Sequence, residues 1–150
     1  MKKAFVTAVL LLGFLVLCFG TNGSNAFVGP KVIARVNLKN QTTTIPTTTV
    51  FTPTQSGLYR ASAYMTMTTP GSGTGTWDVE FNWTDDSGPE SSNLASIVES
   101  ETPSQDYCSP FPPSCNLVFR AVAGTPVTYY VNGNGATGTY SLFFTVERLD

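Results

Sequence analysis

Phe51-Thr52-Pro53-Thr54-Gln55-Ser56-Gly57-Leu58-Tyr59-Arg60-Ala61-Ser62-Ala63-Tyr64-Met65-Thr66-Met67-Thr68 decides the fold. Pro53 to Gly57 reads as a turn, and the longest alternating run in the chain follows it. Tyr59, Ala61, Ala63, Met65 and Met67 share one face, while Arg60, Ser62, Thr66 and Thr68 share the other. Tyr64 is the one large ring on the polar side. A period of two, held over about ten residues, is the signature of a half-buried strand and not of a helix.

Working downstream, Thr69 to Gly75 is a Gly/Ser/Thr loop. Nucleotide-binding glycine motifs open onto a helix, and here a strand follows, so no phosphate cradle is implied. Trp77, Val79, Phe81 and Trp83 alternate with Asp78, Glu80 and Asn82 to make that strand. The pattern predicts that Tyr59–Thr68 and Thr76–Thr84 pair as an antiparallel hairpin with an aromatic inner face. Asp85 to Pro89 ends the second strand in a turn. Asp85 and Asp86 are a candidate calcium pair, because hard cations take clustered carboxylates. The competing reading is an Asx turn, in which the aspartate caps its own backbone.

Asn93 to Val98 is short and moderately apolar, and Glu99 to Asp106 is polar and predicted to be a loop. Cys108 and Cys115 bracket Ser-Pro-Phe-Pro-Pro-Ser. That spacing suits neither a redox motif nor a zinc site, and a local disulfide is expected. Closing so short a loop is worth about 2.5 kcal/mol, so the bond would shape a loop without holding the fold. Further strands are predicted over Leu117–Val122, Val127–Val131 and Thr139–Leu149, the last two joined by an Asn/Gly-rich hairpin loop over Asn132–Gly138. In the last strand Tyr140, Leu142, Phe144 and Val146 face one way and Ser141, Phe143, Thr145 and Glu147 the other.

Upstream, Val32 to Leu38 alternates as a first strand. Asn40 to Thr49 is threonine-dense with Pro46 inside it, which fits an edge strand or two fragments around a bend. The N-terminus reads as an address. Met1-Lys2-Lys3 is a positive n-region, Ala4 to Phe19 is apolar apart from Thr7, and Ser24-Asn25-Ala26 is a cleavage-type site. The expectation is a signal peptide over residues 1–26 and one domain over 27–150, secreted or periplasmic. The alternatives are a retained anchor, for which the apolar run is short of the roughly 20 residues a span needs, and a lipoprotein at Cys18, where Leu17 stands in place of a small residue.

The whole chain carries a formal charge of −2, and loss of Lys2 and Lys3 would take it to −4. Lys31, Arg35, Lys39, Arg60, Arg120 and Arg148 are scattered, so nucleic acid and anionic membranes are poor partners. No histidine is present. That removes the commonest general base, the commonest zinc ligand and every Ser-His or Cys-His pair. Asp78 and Glu80 could suggest carboxylate-only glycoside hydrolysis, but they lie at i and i+2 on one strand face, roughly 7 Å apart. Catalytic pairs flank a cleft from different elements. No catalytic residue and no cofactor is assigned.

Many short strands between Gly/Pro/Asn turns, with no helix after the leader, predict an all-β jelly-roll sandwich of about 8–10 antiparallel strands. Thr52-Pro53-Thr54-Gln55-Ser56-Gly57-Leu58-Tyr59-Arg60-Ala61-Ser62 resembles the strand-opening pattern of the complement-head and tumour-necrosis-factor jelly rolls. Gly138-Thr139-Tyr140-Ser141-Leu142-Phe143-Phe144 is similar to that family's last strand. The chain also resembles small secreted bacterial proteins that share the Tyr-Arg and Trp-Thr-Asp-Asp segments. The first resemblance implies a homotrimer, with Tyr59, Tyr64, Phe143 and Phe144 as candidate interface residues. The sequence carries no collagen-like repeat to go with it.

Two functions follow as the leading expectations, with a carboxylate-only glycoside hydrolase behind them. One is a non-enzymatic module for binding or self-assembly outside the cell. The other is a lectin-like or adhesin domain, in which exposed rings stack on sugars; Phe111, Tyr107 and Trp83 are its binding candidates, with Tyr129 and Tyr130 behind them. Asn40-Gln41-Thr42 and Asn82-Trp83-Thr84 match the glycosylation sequon.

Overall fold

The computed structural model describes residues 29–99 and 115–150. The predicted leader and most of the cysteine loop, including Tyr107, Cys108 and Phe111, lie outside the described residues. Eight strands occur among those described: β1 (Lys31–Gln41), β2 (Ile45–Phe51), β3 (Gly57–Thr69), β4 (Thr76–Asp85), β5 (Gly88–Val98), β6 (Asn116–Ala121), β7 (Val127–Asn134) and β8 (Thr139–Arg148). They form two antiparallel sheets, ordered β1-β8-β3-β6 and β2-β7-β4-β5. We call them sheet A and sheet B. Successive strands alternate between the sheets everywhere except at β4–β5. That connectivity is a jelly roll.

The fold-deciding run is β3, at the centre of sheet A between β8 and β6. Its start is tied locally, because the Tyr59 phenol donates to the Gln55 carbonyl at 3.1 Å, just before the strand begins. Tyr59, Ala61 and Met65 point into the sandwich and are buried. They meet Trp77, Val79 and Phe81 from β4 and Leu142, Phe144 and Val146 from β8 in one continuous core. Phe81 anchors it, with Phe119 at 5.2 Å and Phe144 at 6.2 Å both edge-on to its ring. Such perpendicular pairs add about 1 kcal/mol each beyond the area they bury.

The predicted hairpin of β3 with β4 is overturned. β3 pairs with β6 and β8, while β4 pairs with β5 and β7 in the opposite sheet. Residues 70–75 therefore cross the end of the sandwich. The same holds for β7 and β8, whose connection over 135–138 is a crossing and not a hairpin. An alternating pattern states that one face is buried; it does not say whether the buried faces are side by side or face to face. The hairpin present is β4–β5, where Asp85 and Gly88 are register partners around a two-residue turn.

Two smaller expectations change for physical reasons. β5 extends beyond the apolar segment Asn93–Val98 back to Gly88, where it pairs through the hairpin with β4, and a bulge opposite Val79 and Glu80 interrupts its register. The bulge buries consecutive residues Leu94 and Ala95, which hides the period of two. Glu99, read as the start of a polar loop, is completely buried. The threonine-dense segment is edge strand β2, as Pro46 requires.

Candidate functional site

Each sheet has one face in the core and one in solvent, so the outer faces are where side chains meet a partner. On sheet A the register aligns Asn37 of β1, Phe143 of β8 and Tyr64 of β3 in one row across three strands. The row beside it is Arg35, Thr145 and Ser62. Alternation places all six outward, because their neighbours Val36, Phe144, Ala63, Val146 and Ala61 belong to the core or pack against it. The six line a shallow groove of about 410 Å³. Its floor is a pair of rings, Tyr64 and Phe143, with centroids 6.2 Å apart and planes tilted by 33°. Tyr64 is 53% exposed and Phe143 half-buried.

Around the groove, the face holds every large apolar side chain that is well exposed among the described residues: Val32, Leu58, Tyr64 and Val118. Arg60 is neutralised by Glu147 on the adjacent strand at 2.5 Å. Arg120 reaches Asp86 at the same distance. Both pairs are partly exposed, so solvent screens them and they contribute little to stability. Arg35 has no ion pair among the described residues, nor does Lys39, two residues past Asn37 on the same strand.

The outer face of sheet B is chemically different. Asp78 accepts from Thr76 Oγ1 at 2.9 Å, from Asn134 Nδ2 at 2.6 Å and from the Ser96 hydroxyl. Glu80 is held above the usual carboxylate range, first by partial burial and then by the Asp78 charge. It stands opposite Tyr130. Both oxygens of Asp78 are thus engaged by neighbouring side chains, and Asp78 and Glu80 share the outer face of one strand. Asn82 belongs to this face too.

The calcium candidates are committed elsewhere. Asp85 Oδ1 accepts from the Ser87 N–H at 2.7 Å, the Ser87 hydroxyl at 2.5 Å and the Gly88 N–H at 3.2 Å. These bonds are an Asx turn, and they hold the Asp85 carboxyl below its ordinary range, the Ser87 hydroxyl contributing most. Asp86 is the partner of Arg120. No group of three or more metal-type ligands occurs among the described residues.

The predicted site residues scatter. Trp83 is half-buried on the core side, its ring 5.4 Å from Phe119, and it lines a separate groove of about 500 Å³ with Pro89 and Pro126. Tyr129 is buried against Phe144 at 5.1 Å. Tyr59 and Phe144 are each only 2% exposed, so they are withdrawn from the candidate interface: alternation turns them inward. Tyr64 and Phe143 are the two that reach solvent. Sequence reading paired neither of these with Arg35 or Asn37, since that neighbourhood depends on β1 pairing with β8 across the length of the chain. Cys115 leads into β6, and its carbonyl accepts from the Ala63 N–H at 2.7 Å.

No protein-family model matches the chain, and no curated protein matches it. Among solved structures it is similar to the CBM22-1–GH10 modules of Clostridium thermocellum endo-1,4-beta-D-xylanase 10B, solved with xylohexaose. The identity is 12% and the TM-score 0.36, over 82% of this chain and 25% of that one. The chain therefore spans about a quarter of that structure's length, and a superposition this loose carries no functional argument.

Proposed function

We propose that the protein is an exported, non-catalytic binding module that takes a glycan on the outer face of sheet A. The observation that carries this reading is the Tyr64–Phe143 ring pair, exposed on a rigid central strand pair and bordered by Asn37, Ser62 and Thr145. Pyranose rings present apolar C–H faces and a rim of hydroxyls. An aromatic floor with amide and hydroxyl groups beside it complements both. The site sits on strands, not loops, so little ordering free energy is lost when a ligand lands. A glycan array on the purified protein tests it. Binding that disappears in Tyr64→Ala supports the proposal, and silence across the array removes it.

A second reading rests on a separate observation: Val32, Leu58, Tyr64 and Val118 all emerge on this same sheet face. Self-association through that face, as in the trimers of complement-head-like jelly rolls, would cover them. Light scattering distinguishes the two. A stable oligomer that Val118→Asp dissociates would favour assembly, and a monomer at micromolar concentration would leave the face to the glycan.

A further inference from the structure

Resting on the proposed glycan reading, we infer that the ligand is an acidic glycan, its carboxylate held by Arg35 while its rings lie on Tyr64 and Phe143. The charge distribution carries this. The protein is acidic overall, with 10 Asp and Glu against 8 Lys and Arg. Its described acids nevertheless avoid the groove. Asp78 and Glu80 are on the outer face of sheet B, and Asp85, Asp86 and Glu90 are at the β4–β5 hairpin. Asp150 binds Arg148 at 2.9 Å. Glu147 is the acid of this face, and Arg60 neutralises it. What remains along the rim is Arg35 and Lys39, both exposed and both without an ion-pair partner among the described residues.

Geometry makes Arg35 the specific contact. It stands two strands from Ser62 and diagonal to Phe143. With strands roughly 4.8 Å apart, the groove is about 10 Å across, the footprint of one or two sugar rings. A sugar seated on Phe143 would place a C5 carboxylate within reach of a guanidinium diagonal to it. The guanidinium fork matches a carboxylate with two parallel hydrogen bonds, which a lysine ammonium cannot reproduce. Lys39, farther along β1, would add attraction without geometry.

Basic side chains on an edge strand have another use, since they discourage edge-to-edge pairing. β1 is an edge of sheet A, so the test must separate the two roles. Binding of an oligogalacturonate to the purified protein is compared with its methyl ester, which has the same backbone without the charge, and with a sulfated oligosaccharide. The expected result is binding of the free acid at least about tenfold tighter than the ester, with the sulfated sugar weaker than the acid. Arg35→Lys should cost about tenfold for the free acid and nothing for the ester, while Tyr64→Ala should weaken both. Equal binding of acid and ester, or of acid and sulfated sugar, overturns the carboxylate assignment and leaves the glycan reading standing. Aggregation of Arg35→Ala with unchanged affinity also overturns it, in favour of edge protection. If neither acid nor ester binds, the acidic-glycan assignment fails, and the glycan array alone decides whether the broader glycan reading survives.

Discussion

Gly133 of β7 lies directly under the indole of Trp77 on β4, its register partner, so that a Cβ at Gly133 would stand 2.6 Å from Trp77 Cζ3. The vacancy lets the indole reach Tyr140 of the opposite sheet at 4.6 Å. Trp77 is only 2% exposed, and Tyr140 stands against its ring. Gly133→Ala should therefore cost about 1–3 kcal/mol by overpacking and lower Tm by roughly 5–10 °C. The near-ultraviolet signal of the indole should change as well. A thermal melt followed by circular dichroism checks both, and an unchanged Tm would mean the indole is not pinned there.

Gly88 makes the opposite case. Its φ is +134°, yet a Cβ built on it meets nothing within 4 Å. The cost of Gly88→Ala is thus backbone strain alone, about 1–2 kcal/mol. It falls on the β4–β5 turn that Asp85 caps. Chemical denaturation should show a lower midpoint with an unaltered m-value, and the Trp77–Tyr140 signal should survive. Retention of the wild-type midpoint would sink the argument.

Tyr64 and Tyr59 lie on the same strand, 53% and 2% exposed. Truncating Tyr59 to Ala removes a core ring stacked 5.7 Å from Phe119 and should cost about 3–5 kcal/mol. Truncating Tyr64 should leave stability within about 0.5–1 kcal/mol and weaken glycan binding about tenfold. A large stability loss on Tyr64→Ala would place that ring in structure and not in recognition. Differential scanning calorimetry beside a binding isotherm reads both quantities on one preparation.

Much of this architecture was legible in the sequence because burial imposes a period of two. Tyr59, Trp77, Phe81, Leu142 and Phe144 all face inward, as their spacing required. Strand partnership was not legible. The β3–β4 hairpin failed because Met65 and Val79 belong to one core whether their strands pair or oppose. Tyr64 stood out as a ring on a polar face, but its neighbours Phe143 and Asn37 come from strands far away in the chain. Glu99 was missed for a different reason: nothing in a polar segment marks the one carboxylate that closing loops will bury.

That carboxylate supplies the last prediction. Glu99 accepts from the Thr137 and Gly138 N–H groups while its own N–H donates to the Gly75 carbonyl at 2.9 Å. It therefore ties the β3–β4 crossing to the β7–β8 crossing. The two loops seal it from water, though it sits at the end of the sandwich and not in its middle. Burial pushes its carboxyl up, but the Gly138 and Thr137 donors outweigh that and hold it below the ordinary glutamate range. A lowered folded-state value means the stabilisation is fully present above the unfolded carboxylate range, near pH 4.3, and is lost as pH falls through the folded value. Asp85 and Asp150 are lowered too and Glu80 is raised, so the total curve mixes signs. The difference between wild type and Glu99→Gln isolates this group. At pH 7 Glu99→Ala should cost about 2–3 kcal/mol, because two sealed donors lose a charged acceptor. Glu99→Gln should cost less. Its deficit against wild type should shrink as pH falls from the unfolded carboxylate range through the lower folded value, below which the native carboxyl is protonated and the two side chains become alike. A deficit that stays constant down to pH 2 would mean that the charge of Glu99 contributes nothing to holding the crossings together.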